Sequence, residues 1–223
     1  MQEHTVKILE KTKVTHNVRS FIVERPDNLE FKPGQATEVS IPVKGWKDAR
    51  HPFTFTSLTD DDFLQFIIKI YKDHKGMTRK LDTLKAGDHI TLHEVFGAIN
   101  YEGPGTFIAG GAGITPFISI ARNMQAEDNF GGNRLIFANK TRKDIILPQE
   151  LETLFDDGVV NILSDENAWG YPHGVITKDF LKSQMGGNDR MFYLCGPPPM
   201  MDSVLEQLNE LGIPEKSIVT EEM

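Results

Sequence analysis

Hydrophobic and polar residues alternate in short runs along the first hundred residues of the chain. Residues 36–41 alternate with a period of two, which is typical of a strand with one buried face. Two similar runs lie on either side of the acidic turn at 59–62 and predict a hairpin. The six predicted strands cover residues 5–14, 18–23, 36–41, 50–57, 64–71 and 89–93. Regularly spaced strands with one helical stretch, at 77–84, predict a small antiparallel β-barrel.

The pattern changes near residues 101–105, after which strand-like and helix-like stretches alternate. The predicted strands lie at 106–109, 134–138, 159–163, 190–194 and 217–220, and the predicted helices at 116–125, 148–154, 177–184 and 200–211. Such alternation indicates parallel strands joined by right-handed crossovers. We therefore predict two domains, an antiparallel β-barrel over residues 1–101 and an α/β domain with a five-stranded parallel sheet over residues 102–223.

Composition narrows the function classes. The chain has 24 basic and 32 acidic residues, a net charge of −8, and no basic stripe, which argues against a nucleic-acid partner. Its single cysteine, Cys195, excludes a disulfide framework, a thiolate zinc site and a Cys-ligated iron–sulfur cluster. No apolar run approaches the roughly 20 residues that span a bilayer, and the polar start has no signal-peptide core. We expect a cytoplasmic protein without a membrane span.

The histidines predict no metal site. His89 and His93 have the spacing of a metal-binding pair on a helix, but they lie on a predicted strand, where four residues separate the rings by roughly 13 Å. That distance is too long for one ion. We interpret all seven as scattered surface residues: His4, His16, His51, His74, His89, His93 and His173.

Two loops follow strands of the predicted parallel sheet at the edge where such sheets bind ligands. The first, GGAGITP at 110–116, leads directly into a helix, and a glycine-rich turn before a helix start favours a bound phosphate. Thr115 is the predicted N-cap, with Pro116 in the first helical turn. The alternative is a tight strand-to-helix connection without a ligand.

The second loop, CGPPPM at 195–200, begins with the single cysteine. Cys195 ends a predicted strand, and the stiff Gly196-Pro197 sequence after it holds the thiol over the same crevice. The alternative is a small buried hydrophobic residue. In the barrel half, 50–57 (RHPFTFTS) combines basic, aromatic and hydroxyl groups, and Gly76 begins a helix that offers a second anion site.

These motifs, in this order and over nearly the whole chain, resemble the ferredoxin–NADP reductase superfamily of flavin-dependent electron-transfer enzymes. The stretches 137–146 and 193–200 are most similar to NADH-cytochrome reductases and related bacterial flavoreductases. The resemblance implies a barrel that binds FAD and an α/β domain that binds NADH or NADPH. It also implies hydride transfer from the nicotinamide to the flavin, and onward transfer of electrons to an external carrier such as ferredoxin, flavodoxin or a haem protein.

The resemblance assigns roles to individual residues of the barrel. Thr54 would lie near flavin N5, beside the aromatic Phe53 against the isoalloxazine ring. Other residues expected at the FAD are His51, Pro52, Ile68, Lys69, Ile70, Gly76, Met77 and Thr78, the last three at the pyrophosphate. The family has an arginine where this chain has His51, with Arg50 one residue early; a bulge would be needed for Arg50 to take its place, and FMN is the alternative flavin.

In the α/β domain the resemblance assigns the coenzyme site. Gly110, Gly111, Gly113 and Thr115 would hold the NAD(P) pyrophosphate, and Cys195, followed by Gly196 and Pro197, would lie beside the nicotinamide. Asp165 stands where NADP-dependent relatives have an arginine, so it would repel a 2′-phosphate and accept hydrogen bonds from ribose hydroxyls. This favours NADH, whereas Lys140 and Arg142 favour NADPH if they point inward.

Some questions stay open at the level of the sequence. The chain ends in Glu221, Glu222 and Met223, without the terminal aromatic residue that stacks on the flavin in some relatives, and we interpret the two acids as solvated. A cluster at Lys72, Lys75, Arg79 and Lys80 could dock an acidic carrier, or be a solvated face. The alternatives to an enzyme with an external acceptor are a flavin- or nucleotide-binding sensor and an electron-transfer subunit of a larger complex.

Overall fold

The computed structural model describes residues 3–73, 75–97, 99–185 and 191–220. Some of the expectations above rest on residues that lie outside the described ones, namely His74, Arg190, Glu221, Glu222 and Met223. The chain divides into two compact units, Met1–Ala98 and Ile99–Met223.

Unit 1 is an antiparallel barrel, as predicted. Its strands are β1 (His4–Lys13), β2 (Val18–Glu24), β3 (Ala36–Ser40), β4 (His51–Thr54), β5 (Phe63–Lys69) and β6 (His89–Phe96), with one α-helix, α1 (Met77–Leu81). They form a sheet of order β4-β3-β6-β1-β2-β5. The two outer strands meet at an antiparallel bridge between Phe55 and Phe66, which closes the barrel.

The predicted hairpin between residues 50–57 and 64–71 is much reduced. β4 pairs along its whole length with β3, from Ala36 opposite Thr54 to Val39 opposite His51. Contact with β5 begins only after β4 ends, where Phe55 bridges Phe66 and the Thr56 N–H donates to the Gln65 carbonyl (2.8 Å). In a closed barrel each strand pairs with a neighbour on both sides. Most of the backbone hydrogen bonding of β4 is with β3, so only the residues just after β4 pair with β5.

The barrel core explains where α1 lies. Phe55 is fully buried and stacks on Phe31, with ring centroids 4.4 Å apart, and it also contacts Phe66 at 5.2 Å. Met77 and Leu81, one helical turn apart on α1, are buried in the same core. The α-helix ends at Leu81 rather than at residue 84: Asp82 is its C-cap, and the Thr83 and Leu84 N–H groups donate to carbonyls three residues back, as in a turn.

Unit 2 is a doubly wound α/β sheet. Its strands are β7 (Gly105–Gly110), β8 (Arg134–Asn139), β9 (Val159–Leu163), β10 (Met191–Cys195) and β11 (Ile218–Thr220), and its α-helices are α2 (Thr115–Ala126), α3 (Pro148–Phe155), α4 (Lys178–Gln184) and α5 (Pro198–Glu210). The sheet order is β11-β10-β7-β8-β9, with every pair parallel. The order reverses between β7 and β10, so the loops after these two strands flank the switch point.

The two faces of this sheet are packed differently. One face carries aliphatic residues such as Ile108, Ile136 and Leu194, which pack with residues of α4 and α5. The other face centres on Phe107, whose ring stacks on Tyr193 at 4.3 Å and meets Phe117 and Phe155 edge-on. Within the described residues, no helix has both the length and the apolar character needed to cross a membrane.

Candidate functional site

The loops after β7 and β10, which we call the paired loops (Gly110–Ile114 and Cys195–Pro197), are in direct contact. A Cβ atom on Gly113 would lie 2.4 Å from the Cys195 carbonyl oxygen, and one on Gly110 would lie 2.5 Å from the Met200 sulfur. A Cβ on Gly196 would approach the Met200 Cε to 2.8 Å. Gly113 is therefore required for loop packing, in addition to any approach of a ligand, because its neighbour is backbone, whereas the Met200 side chain beside Gly110 and Gly196 is flexible.

The start of α2 differs from the prediction. Gly111–Ile114 forms a 3-10 turn that continues directly into α2, with Gly111 at φ +52°, so the N-cap is Ile114 and not Thr115. Thr115 is already helical, and its hydroxyl donates to the Ala112 carbonyl oxygen (3.1 Å). Pro116 lies in the first turn as predicted, and no side chain caps the helix. A helix start without a side-chain cap is suited to an anion.

Cys195 is the last residue of β10 and lies opposite Ala109 of β7. It is buried, Gly196 is partly exposed and Pro197 is exposed at the N-cap of α5. The structure thus places Cys195 at the switch point, beside the glycine-rich turn, as the sequence predicted. Burial of the thiol is also what a packing role requires.

Asn139 is a candidate site residue that the sequence did not reveal. It ends β8 at the same edge of the sheet, it is 8% exposed, and its side-chain Nδ2 is buried without a hydrogen-bond partner in the structure. A buried donor without an acceptor is costly, at about 1–3 kcal/mol. An oxygen-rich ligand at the strand ends would supply the acceptor.

The loops after β8 and β9 lie side by side. The Ser164 N–H donates to the Asn139 carbonyl (3.0 Å), and the Asp165 N–H donates to the Lys140 carbonyl (2.9 Å). Asp165 is exposed, and the Ser164 hydroxyl donates to its carboxylate (2.5 Å). The structure therefore places a carboxylate at the carboxyl end of β9, where an open sheet presents acceptors to a ribose.

Arg142 does not stand free beside this carboxylate. Its Nε donates to Glu166 Oε1 (2.6 Å) and its main-chain N–H donates to Glu166 Oε2 (2.8 Å). These two hydrogen bonds, with the positive charge of Arg142, hold the pKa of the Glu166 carboxyl below its usual value. This ion pair was not predicted, because its two residues lie 24 positions apart in the chain.

In unit 1 the residues of β4 lie at the edge of the barrel. His51 and Pro52 are exposed, while Phe53 and Thr54 are partly buried. The register of β4 with β3 is regular, without a bulge. Arg50 therefore does not take the place of His51.

The side chain of Arg50 is held elsewhere. It pairs with Glu3 (2.9 Å) and lies 3.8 Å from Glu38.

The remaining predicted residues cluster where β5 leads into α1. Ile68 and Ile70 are buried and Lys69 is partly exposed. The Met77 side chain is buried in the barrel core, so only its backbone is available to a ligand. The Thr78 hydroxyl accepts a hydrogen bond from the Tyr71 N–H (3.3 Å).

Gly76 is the N-cap of α1. Its backbone is extended, at φ −99°, and a Cβ there would meet nothing within 4 Å. The fold itself does not require glycine at this position, whereas a pyrophosphate close to the backbone would.

The prediction that every histidine lies at the surface is wrong for His93. His93 is 5% exposed; its Nε2 lies 2.8 Å from the Ser40 Oγ and its Nδ1 lies 3.1 Å from Glu3 Oε1. This order of groups resembles a catalytic triad, but Ser40 is only 1% exposed and is not accessible as a nucleophile. Among the described residues no group of three His, Cys, Asp or Glu side chains could hold a metal ion.

Comparisons with known proteins agree with this architecture. Residues 5–101 match the family model of the oxidoreductase FAD-binding domain, and residues 107–206 match that of the oxidoreductase NAD-binding domain. The chain is 28% identical to NADH-cytochrome b5 reductase 1 of Rattus norvegicus, over 96% of this chain and 84% of that protein. It is also 28% identical to NADH-cytochrome b5 reductase 2 of Rattus norvegicus, over 98% and 94% respectively.

Solved structures show the same fold. A ferredoxin NADP+ reductase from Neisseria gonorrhoeae with bound FAD and NADP superposes with a TM-score of 0.83 at 19% identity, over 99% of this chain and 98% of that one. The cytochrome b5 reductase domain of Ulva prolifera nitrate reductase gives 0.85 at 23% identity, over 98% and 97%.

The fold and these matches define a class of protein: a two-domain oxidoreductase with a flavin-binding barrel and a nucleotide-binding sheet. Residues 5–101 are an oxidoreductase FAD-binding domain and residues 107–206 are an oxidoreductase NAD-binding domain, so the chain is an FAD-dependent NAD(P)H oxidoreductase with the fold of ferredoxin NADP+ reductases. The described residues fit both groups. Gly76 leaves space for a pyrophosphate at the barrel, and the uncapped start of α2, with the unpaired Asn139 donor, suits a nucleotide at the sheet.

Proposed function

We propose that this protein oxidises NADH in preference to NADPH and passes the electrons to an external one-electron carrier protein. The observation that supports the choice of NADH is the exposed Asp165 carboxylate at the end of β9, with Arg142 held by Glu166 beside it. A 2′-phosphate dianion would meet a carboxylate there. The relatives named for cytochrome b5 favour a haem protein as the carrier.

In the barrel, we propose that Thr54 and Phe53 position the flavin ring and that the backbone of Ile68, Lys69 and Ile70 contacts the ribityl and adenosine portion. Gly76, with the Met77 and Thr78 backbone, would hold the pyrophosphate, and His51 and Pro52 would line the edge strand. When bound, FAD accepts a hydride and releases electrons singly. Hydride transfer itself needs no acid or base, so the proposed role of these side chains is to bind and orient the flavin.

In the α/β domain, we propose that Gly111, Thr115 and the first N–H groups of α2 bind the coenzyme pyrophosphate, with Gly110 and Gly113 keeping the paired loops closed. Asn139 would donate to an oxygen of the same ligand. Cys195, supported by Gly196 and Pro197, would position the nicotinamide at the switch point. Residues 1–101 and 102–223 as the two domains, and a cytoplasmic location, stay predictions.

Anaerobic reduction tests this function. The purified protein is loaded with FAD or FMN, and flavin bleaching is followed after addition of NADH or NADPH. We expect tight uptake of FAD and faster bleaching by NADH. A flavin- or nucleotide-binding sensor would take up flavin without rapid bleaching, and a preparation that binds neither flavin would overturn the proposal.

The variant Asp165→Arg tests the ribose assignment. An arginine here would pair with the 2′-phosphate and remove an acceptor for the ribose hydroxyls, so we expect the NADPH to NADH ratio of kcat/KM to rise at least about tenfold, or about 1.4 kcal/mol. Asp179→Arg on α4 makes the same charge change at another exposed aspartate of unit 2 and serves as control. An equal response of both variants would show that net charge, and not a ribose contact, is responsible.

A further inference from the structure

The pair formed by Arg142 and Glu166 joins the loops after β8 and β9. The carboxylate receives one hydrogen bond from the Arg142 main chain and one from its guanidinium, so both oxygens are engaged by the same residue. Thr141, just before, is fixed by a reciprocal capping box with Asp144. The position of Arg142 therefore follows from the fold of these two loops.

The ion pair lies at the edge where coenzyme choice is decided. Asp165, adjacent to Glu166 in sequence, donates its N–H to the Lys140 carbonyl, two residues before Arg142. A guanidinium binds phosphate through paired hydrogen bonds, which makes it the usual group for recognition of a phosphate monoester. These two loops thus carry the Arg142 guanidinium, which is suited to a 2′-phosphate, and the Glu166 carboxylate, which already binds that guanidinium.

We infer that Glu166 is a specificity-determining residue: by holding the Arg142 guanidinium, it withholds from NADPH a phosphate-binding group that the loop already contains. The inference rests on the proposed function, in which this edge receives the adenosine ribose. It adds a second element to the repulsion by Asp165. The chain would be selective for NADH partly because a competent cation is occupied, and not because one is lacking.

The charges around the pair support a stable arrangement at neutral pH. Lys143 and Arg142 both favour the ionised form of Glu166, whose pKa lies below the ordinary value of 4.5. The other charged groups on these loops are Lys140, Asp144 and Asp165. Since the carboxylate stays charged at and above neutral pH, the guanidinium stays occupied under the conditions in which NADH would be used.

The variant Glu166→Gln tests the inference, because glutamine keeps an acceptor for the Arg142 N–H and removes the charge. The readouts are the affinities for 5′-AMP and adenosine 2′,5′-bisphosphate by titration calorimetry, and kcat/KM for NADH and NADPH. We expect the preference for the 2′-phosphorylated ligand to rise about fivefold, the upper range for an exposed ion pair. Arg142→Gln is made alone and in the double variant.

The double-variant cycle separates two explanations. If Glu166 acts by holding Arg142, its replacement has no effect on the preference once Arg142 is glutamine. If the fivefold rise persists in the Arg142→Gln background, simple loss of negative charge explains it and the inference is overturned. An unchanged preference in Glu166→Gln alone, with 5′-AMP still bound, also overturns it.

A matched control uses another Arg–Glu pair of unit 2. Arg122 on α2 donates through Nε to Glu150 on α3 (2.5 Å), so Glu150→Gln breaks the same kind of pair away from the loops. We expect it to leave the preference unchanged. If the unmodified protein does not bind 5′-AMP, or if NADH does not reduce its flavin, the proposed function itself is wrong. Failure of the inference about Glu166 is therefore distinguishable from failure of the proposed function.

Discussion

At the scale of single residues, Tyr193 shows how a buried side chain supports the candidate site. This residue lies in β10, two positions before Cys195, and its ring stacks on Phe107 of β7. Its hydroxyl donates to the Gly103 carbonyl (2.7 Å) and accepts from the Glu102 N–H (2.8 Å). Burial raises the pKa of this phenol to about 12, because the anion would lose water that the neutral group does not need.

This pKa has a consequence for stability at alkaline pH. The neutral phenol is favoured in the folded state, so its contribution is complete below the ordinary pKa of 10.0 and is lost as the pH rises from there to about 12. Tyr193→Phe leaves the Glu102 N–H and the Gly103 carbonyl without this partner. We expect it to lower the free energy of unfolding at pH 7 by about 1–3 kcal/mol.

Urea unfolding from pH 8 to 12 provides the measurement. The difference in stability between the unmodified protein and Tyr193→Phe should narrow above pH 10, because the phenol ionises in the unfolded chain at a lower pH than in the folded protein. Tyr71→Phe, at a half-exposed tyrosine of unit 1, serves as control and should change stability little. A difference that stays constant to pH 12 would contradict the assigned hydrogen bonds.

At the scale of elements, the paired loops depend on the absence of a side chain at Gly113. A Cβ there would lie within 2.5 Å of both the carbonyl carbon and the carbonyl oxygen of Cys195, and a backbone neighbour cannot rotate away. We expect Gly113→Ala to destabilise unit 2 by about 1–3 kcal/mol, the usual cost of overpacking. It should also weaken 5′-AMP binding, because the end of β10 must shift.

Gly131 is the matched control for this substitution. A Cβ on Gly131, in the loop before β8, would meet nothing within 4 Å, so Gly131→Ala should change the free energy of unfolding by less than about 0.5 kcal/mol. Equal stabilities of the two variants in chemical denaturation would mean that the paired loops tolerate a side chain. Their glycines would then have to be explained by the ligand alone.

At the turn from β5 into α1, a substitution should weaken ligand binding while leaving stability nearly unchanged. The backbone of Gly76 is extended and open, so Gly76→Ala should cost little stability, about 1 kcal/mol at most for a poorer N-cap. We expect FAD to bind at least about tenfold more weakly, because the methyl group would occupy the space proposed for the pyrophosphate. Flavin fluorescence titration measures this. Unchanged FAD affinity would show that the pyrophosphate does not bind at Gly76.

Element positions were largely predictable from the sequence, and the reason is physical. The central strand β7 is buried on both faces, so it reads as a short apolar run between glycine and proline signals at Gly105–Gly110. The start of α2 was predicted one residue late, because the Gly111–Ile114 turn is set by backbone geometry and not by a capping side chain. The closing bridge between Phe55 and Phe66 lies within the predicted hairpin, but the length of that hairpin was overestimated because β4 pairs with β3.

The site was predictable only where its residues are neighbours in sequence. The two loop motifs and the β5–α1 turn could be found as motifs. The Glu166 pair with Arg142 and the unpaired Asn139 donor depend on the parallel register of β8 and β9, in which Asn139 lies opposite Leu163. Similarly, His93 is buried because Ser40, 53 residues away, lies beside it across the β3–β6 pairing. No local pattern contains such contacts.

At the scale of the whole molecule, the charge distribution bears on the electron acceptor. The chain has a net charge of −8, which repels an acidic carrier at long range. Lys72 and Lys75 are exposed between β5 and α1, and Arg79 fixes this segment by donating to the Lys72 carbonyl (3.2 Å). A local basic cluster on an acidic protein orients a partner at short range, because the Debye length is about 10 Å at 0.1 M salt.

The double variant Lys72→Glu/Lys75→Glu tests this docking surface. We expect kcat/KM for an acidic carrier protein to fall about three- to tenfold at low ionic strength and to recover with added salt, since rim charges act mainly on the rate of association. Reduction of the flavin by NADH should be unchanged. Lys44→Glu/Lys47→Glu, at exposed lysines after β3, makes the same change in net charge and serves as control.

The comparison decides between a local and a global effect of charge. If both double variants slow carrier reduction equally, the acceptor senses only the overall charge, and the segment between β5 and α1 has no special role. If only the first variant slows it, the acceptor docks beside Gly76, where the flavin pyrophosphate is proposed to lie. Electrons would then leave through the same part of the barrel that holds the FAD, and the basic side chains would serve the carrier.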